Sequence, residues 1–308
     1  MKVGSLFAGI GGIELGFMQH GFNVEWANEI DKNACITYSK NFSHKLYDMD
    51  IKNLSALEVS KIDILVGGFP CQAFSVAGYR KGFLDERGNV FFEILRFIDG
   101  LEPNVLFLEN VKNLQNHNNG KTFQVIMQEL TKRGYYIHYK VLNSAEYGNV
   151  PQNRERIYLV GFKQKSQYQK FEFPVSCRLT KTISDLLDKS VGDEFYYHDS
   201  KYYPILKEAM HNTKTIYQLR RTYVRENKNN LCPTLTANMG TGGHNVPLVI
   251  DKRGIRKLTP RECSRFQGFN ESYLLDCGLA NSSLYKQIGN SVTIPVIASI
   301  AKQIGIAL

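Results

Sequence analysis

The residue types best suited to bond-making chemistry sit where apolar runs give out. The run from Ile62 to Val66 predicts a buried strand, and it breaks at Gly67-Gly68-Phe69-Pro70-Cys71-Gln72. Cys71 therefore sits on an irregular loop just past a strand end, the edge of an α/β sheet where ligands gather. A thiolate there can attack a soft electrophile far better than a hydroxyl can. A lone cysteine is more often a small buried hydrophobe, so Cys71 needs company before it counts as a nucleophile.

Two further groups supply that company. Glu109-Asn110-Val111 ends the apolar run that starts at Pro103. A carboxyl there is partly desolvated, which raises its pKa and suits a proton donor, although capping or ion pairing would also explain it. Gln152-Asn153-Arg154-Glu155-Arg156 precedes another β-rich run. Arginines at i and i+2 before a strand share a face and can meet a carboxylate, a phosphate or a base oxygen. A glycine-rich turn, Phe7-Ala8-Gly9-Ile10-Gly11-Gly12, follows the first strand-like run. It lacks the strict dinucleotide fingerprint, since Glu14 stands where the third glycine belongs. Its glycines still allow close backbone approach and free helix N-terminal N–H groups for an anion. Glu29, twenty residues after Gly9, ends the next strand and can accept from ribose hydroxyls, while Asp50 is placed for an exocyclic amine. The three together indicate a nucleoside-containing cofactor.

These residues need a scaffold that returns repeatedly to one sheet edge. Strand-like runs at 2–7, 22–27, a short one into 48–51, then 62–66, 103–108, 135–142 and 157–162 alternate with helical patterns, as in βα units. The fold class expected is α/β, a mainly parallel sheet with helices on both faces. Near residue 165 the pattern turns polar and irregular, and the densest Gly/Asn loop runs from Thr234 to Asn245. The expected division is a catalytic part, 1–170 with 285–308, and a second, smaller domain over 171–284. The last helix is expected over 296–306.

The 308 residues carry a net charge of +9, and 211–265 hold eleven Lys or Arg against three acids. A polyanion bound by that segment is the natural inference. No apolar run approaches the roughly 18 residues of a membrane span, and no signal-peptide pattern opens the chain, so a cytoplasmic location is expected. The six cysteines show no CxxC pairing and no metal-ligand spacing, so no metal is expected.

Taken as an ordered set, these motifs resemble the C5-cytosine DNA methyltransferases. The set is Phe7-Ala8-Gly9-x-Gly11-Gly12, Asn28-Glu29, Asp50-Ile51, Gly68-Phe69-Pro70-Cys71-Gln72, Glu109-Asn110-Val111, Gln152-x-Arg154-x-Arg156, Arg256-x-Leu258-Thr259-x-Arg261-Glu262-Cys263 and Gly289-Asn290-Ser291-Val292. Only about 180–250 falls outside it, where that family keeps its variable recognition segment. Ser5 departs from the pattern, since many members carry an acid there.

The resemblance implies a Rossmann-like methyltransferase fold with a small, irregular β-rich target-recognition domain. It implies methyl transfer from S-adenosylmethionine to carbon 5 of cytosine in a short sequence of double-stranded DNA. Cys71 would add to carbon 6 of a flipped-out base, with Pro70 and Gln72 shaping its loop. Glu109 would donate to ring N3, Arg156 would contact the base carbonyl, and Arg154 would support it. Phe7 and Ile30 would sandwich the cofactor adenine. Gly9, Ile10, Gly11 and Gly12 would approach its methionine end, Glu29 its ribose, and Asp50 with Ile51 its adenine edge. Pro70, Val90, Asn290, Ser291 and Val292 complete the implied cofactor set. For DNA, Arg80 and Lys81 lie in the closing loop, and Arg220, Arg221, Arg225 and Arg256 belong to the basic segment. Thr234, Leu235, Thr236, Asn238, Gly242, Gly243 and His244 form the expected base-reading loop. The size suits the modification half of a restriction–modification pair, with an endonuclease encoded alongside and a monomeric enzyme.

Two rivals remain at this point. A transfer-RNA C5-cytosine methyltransferase shares the fold and is separated by assaying duplex DNA against total RNA. A Rossmann oxidoreductase would bind NAD rather than S-adenosylmethionine, and the Pro70-Cys71 pair argues against it.

Overall fold

The computed structural model describes residues 1–69, 90–220, 223–241 and 245–308. Pro70, Cys71, Gln72, Arg80, Lys81, Arg221, Gly242, Gly243 and His244 lie outside the described residues.

The first compact unit comprises Met1–Leu142, Glu155–Pro174 and Ile297–Leu308. It is built from β1 (Lys2–Leu6), α1 (Gly12–Met18), β2 (Asn23–Asn28), α2 (Lys32–Asn41), β3 (Lys45–Tyr47), β4 (Ile64–Gly68), β5 (Val105–Val111), β6 (Tyr136–Asn143) and β8 (Glu155–Phe162), with helices Val90–Leu101 and Lys121–Lys132 between strands. A two-residue strand, β7 (Gln152–Asn153), belongs to the other unit. The seven-stranded sheet runs β3-β2-β1-β4-β5-β8-β6. Strands β1 to β5 pair in parallel, and β8 joins β5 antiparallel.

Alternation along β5 shows why both faces are covered. Leu106 and Leu108 point into the cluster that holds Phe91, Ile94 and Phe97 of helix Val90–Leu101 and Ile126 and Leu130 of helix Lys121–Lys132. Phe107, between them, turns to the opposite face and meets Phe17 of α1 edge-on, with centroids 5.3 Å apart. Because β4 is buried along nearly its whole length, its sequence reads as a continuous apolar run. The α/β, mainly parallel fold expected from the sequence is the one found.

The second unit comprises Asn143–Arg154 and Val175–Val296. The stretches 143–154 and 285–296 thus cluster with it rather than with the catalytic part to which the sequence assigned them. Its four-stranded sheet runs β10 (Val224–Glu226), β9 (Tyr217–Leu219), β12 (Leu248–Asp251), β13 (Gly254–Lys257), antiparallel throughout. Tyr217, Leu219, Leu248 and Ile255 bury one face against Leu206 and Met210. A short parallel pair joins β11 (Cys232–Pro233) to β7. Among the described residues no helix is long and apolar enough to cross a membrane, and no group of three or more His, Cys, Asp or Glu could hold a metal.

Candidate active site

The end of β5 carries the strongest chemical grouping. Glu109 pairs with Tyr158 and Val111 with Arg156 across the antiparallel β5–β8 ladder. Arg156 is therefore the diagonal neighbour of Glu109 on one face, within reach of a long side chain. Its Nε lies 3.2 Å from Glu109 Oε1, and both side chains are largely buried. Such an ion pair holds the carboxyl group in one orientation. On the other side Glu109 pairs with Gly68 of β4. A Cβ at Gly68 would come within 3.2 Å of Glu109 Oε2, so glycine leaves the carboxyl room.

Asn110, the next residue, is buried and donates from Nδ2 to the Phe69 carbonyl at 2.7 Å. Phe69 itself is buried in the main core cluster. The last described residue before Pro70 and Cys71 is thus pinned by packing and by a buried hydrogen bond. This role for Asn110 was missed in the sequence. Its one signal was a carboxamide directly after the acid at a strand end.

The glycine turn forms a second grouping. Phe7 (φ 57°) and Gly9 (φ 58°) lift the chain out of β1, and Gly11 (φ 82°) starts α1. At Gly11 a Cβ would strike the Phe42 ring at 2.1 Å, so the turn requires glycine for space as well as for φ. Glu29 clamps the turn. Its carboxylate accepts from Gly9 N at 2.7 Å, Ile30 N at 2.8 Å and Asp31 N at 2.7 Å. Ile30 is 61% exposed although apolar, and Phe7 is half-buried. Asp50 accepts from Lys52 N and caps the short 3-10 turn Ile51–Asn53, with Ile51 buried in the core. It lies three residues beyond β3 rather than at its end. Ile10 and Gly12 are buried in the turn, and half-buried Val90 opens its helix.

Glu14, in the first turn of α1, is a fully buried acid that no motif predicted. Burial pushes its pKa up to about 7, partly offset by the Ser5 and Tyr38 hydroxyls. Tyr38 in turn shares a 2.6 Å hydrogen bond with His44 Nε2. A carboxyl at a position that helical spacing assigns to the core was the signal available.

In the second unit Arg154 is the hub. Its buried guanidinium donates to the Leu235 carbonyl at 2.7 Å, to the Ser291 carbonyl and to the Gly289 carbonyl at 3.5 Å. Gln152 adds a second tie, accepting from Leu235 N at 3.0 Å while donating to the Phe266 carbonyl at 2.6 Å. Three motifs far apart in sequence, Gln152–Arg154, Thr234–Thr236 and Gly289–Val292, therefore meet. Gly289 allows this, since a Cβ there would lie 2.2 Å from the Thr236 carbonyl carbon. Thr234 donates to the Asn153 carbonyl at 2.7 Å, and Thr236 and Asn238 are exposed on the loop. Asn290 is exposed, and Ser291 and Val292 are buried.

Arg256 requires a correction. Its guanidinium is fully buried, bonded to Glu262 through Nη1 and Nη2 at 2.8 Å each and to Asp251 through Nε at 2.6 Å. Spent inside the unit, it is not a DNA-facing side chain. Arg253 and Arg265 likewise pair with Asp193 and with Asp188 and Glu271, acids outside the 211–265 segment. Charge counted along the chain overstated what 251–265 presents to a partner. Arg220 and Arg225 are exposed.

The family described as C-5 cytosine-specific DNA methylase matches residues 1–306. The chain is similar to the Type II methyltransferase M.Bsp6I of Bacillus sp., 57% identical over 99% of this chain and 98% of that protein. It is also similar to M.HhaI of Haemophilus parahaemolyticus, 39% identical over 98% and 94%. In fold it resembles a mutant of Spodoptera frugiperda DNMT2, with TM-score 0.77 and 19% identity over 99% of each chain.

Proposed function

The chain belongs to the C-5 cytosine-specific DNA methylase family, and from that premise we infer that it methylates carbon 5 of cytosine in double-stranded DNA, through a reaction that Cys71 opens. Carbon 5 of the intact aromatic ring is a poor nucleophile. Addition of the Cys71 thiolate to carbon 6 breaks the 5,6 double bond and moves its electron pair toward carbon 5. Glu109 donates a proton to ring N3 as that charge develops, which is general acid catalysis at a fixed atom. Arg156 holds Glu109 in place and meets the base carbonyl. Once carbon 5 carries the methyl group, loss of its proton expels Cys71 and restores the ring. The base must leave the duplex to reach this site, at a cost of a few kcal/mol.

The methyl donor is S-adenosylmethionine, which supplies an electrophilic methyl group when bound. The first unit fits it. Among the described residues an added Cβ at Gly9 meets no atom within 4 Å, which leaves room against the backbone. Apolar Ile30 and Phe7 beside the Glu29 carboxylate suit a purine with its ribose, and Asp50 suits the exocyclic amine.

The observation that carries this reading is the buried Glu109–Arg156 pair one residue from the Asn110–Phe69 tether, on β5 next to β4, the strand whose sequence leads on to Cys71. Thr234 to Asn245, with Arg220 and Arg225, are assigned to DNA recognition, and the enzyme to the cytoplasm. A monomer and a partner endonuclease complete the proposal. Bisulfite sequencing of DNA from cells expressing the protein should reveal one short methylated motif, and the Cys71→Ser variant should leave none. Transfer retained in that variant overturns the mechanism.

A further inference from the structure

Glu14 is a buried acid that the mechanism leaves unused. It stands two residues past the glycine turn and faces Ser5 of β1 and Tyr38 of α2. Neither of its carboxyl oxygens, nor the Ser5 hydroxyl, completes a hydrogen bond with the described residues, although all three atoms are buried. Burial raises its pKa to about 7; the Ser5 and Tyr38 hydroxyls lie close enough to lower it, and Glu29 adds to the rise as a like charge. None of these neighbours is a cation. A buried carboxyl with neither a cation nor its hydrogen bonds costs free energy unless something else meets it.

Two relationships point to what that is. Ser5 is the departure from the motif set, a hydroxyl where an acid is usual, and the carboxyl beside it comes from the helix instead. Glu29, the like charge on Glu14, also binds Gly9 N at 2.7 Å, so both acids lie at the turn assigned to the methionine end of the cofactor.

We propose that Glu14 is the counter-charge for the sulfonium and ammonium of S-adenosylmethionine, giving up its proton as the donor binds and regaining it as the demethylated product leaves. This rests on the methyltransferase reading above. No direct contact is needed, since charges in a low-dielectric interior act over several ångströms. The carboxyl O–H bond breaks, and the proton leaves through the Tyr38 hydroxyl, which shares a 2.6 Å hydrogen bond with half-buried His44. Burial lowers the pKa of His44, so its ring passes the proton on to water, and Tyr38 and His44 end as they began. S-adenosylhomocysteine has a neutral sulfur, so the same carboxylate favours donor over product.

Titration calorimetry of the full chain with S-adenosylmethionine at pH 7, repeated in buffers of different ionisation enthalpy, counts the protons released. A free-protein pKa of about 7 leaves about half the molecules protonated. Release should therefore be about 0.4 proton per donor if binding lowers that pKa by about one unit, and at most about 0.5. The same shift makes donor affinity rise about fivefold from pH 6 to pH 8. S-adenosylhomocysteine should release fewer protons. In Glu14→Gln, which keeps His44, the release should vanish, and the donor should lose several-fold of its advantage over the product at pH 8. No release by the wild type, undiminished release in Glu14→Gln, or an unchanged donor-to-product ratio overturns the proposal. If the variant does not fold, the wild type decides alone, and equal release by donor and product overturns it. A wild type that binds neither ligand refutes the methyltransferase reading instead.

Discussion

The Asn110 amide donates to the Phe69 carbonyl across the buried gap between the ends of β5 and β4. Through one hydrogen bond the strand that carries Glu109 fixes the residue before Pro70-Cys71. The two ends belong to adjacent parallel strands, β5 with Glu109 and β4, whose sequence leads on to Pro70-Cys71. That relationship makes the tether, as well as the acid, a target for mutation.

Asn110→Ala should strand the Phe69 carbonyl in the core. The cost is about 1–3 kcal/mol, since a buried acceptor loses its partner. Calorimetry should register a melting temperature several degrees lower. At a temperature where the variant is folded, kcat should fall further than KM changes, because the reacting groups and not the DNA contacts are displaced.

Glu109→Gln keeps the size of the side chain and removes the transferable proton. Its kcat should drop by about 100- to 10,000-fold, the usual worth of a positioned acid. Affinity for duplex DNA, measured by fluorescence anisotropy, should be unchanged. A variant that turns over at the wild-type rate would dismiss Glu109 as the acid.

Glu14 makes stability depend on pH in an unusual direction. Burial raises its folded pKa from 4.5 to about 7, so between these values the folded state holds a proton that the unfolded state has released. This group's contribution is fully present below about pH 4.5, falls as pH rises, and is gone above about pH 7. Glu14→Gln should remove the dependence and raise stability at pH 8 by at most roughly 3 kcal/mol, from the size of the shift. Urea denaturation at pH 5 and pH 8 tests it, and a variant whose gain is equal at both pH values contradicts it.

Arg256 and Lys228 should behave as opposites. Arg256→Ala leaves Glu262 charged and buried without its partner, at a cost of about 3–5 kcal/mol. Exposed Lys228 lines the cavity beside the β9–β10 hairpin. Lys228→Ala should leave stability alone and flatten the salt dependence of DNA binding by about one unit of slope.

Gly289→Ala probes the motif junction of the second unit. The added methyl would overlap the Thr236 backbone at 2.2 Å, and backbone cannot step aside as a side chain can. Overpacking of this kind costs typically 1–3 kcal/mol, read as a lower unfolding midpoint.

The sequence by itself determined the α/β class with its mainly parallel sheet and the family to which the chain belongs. Strand ends are legible because a buried strand is an unbroken apolar run. Glu29 and Glu109 stood out because an acid just past such a run has few bland explanations together. What only the tertiary structure decided are the relationships across chain distance. Arg256 looks like any cation in a basic segment until Glu262 and Asp251 are seen to enclose it, since charge along a chain carries no information on who faces whom. Asn110 and Arg154 became tethers only once backbone carbonyls, which every residue has and no sequence marks, arrived beside them. That Glu14 meets Ser5 depends on how α1 lies on the sheet, and that packing is set by which side chains the core accepts.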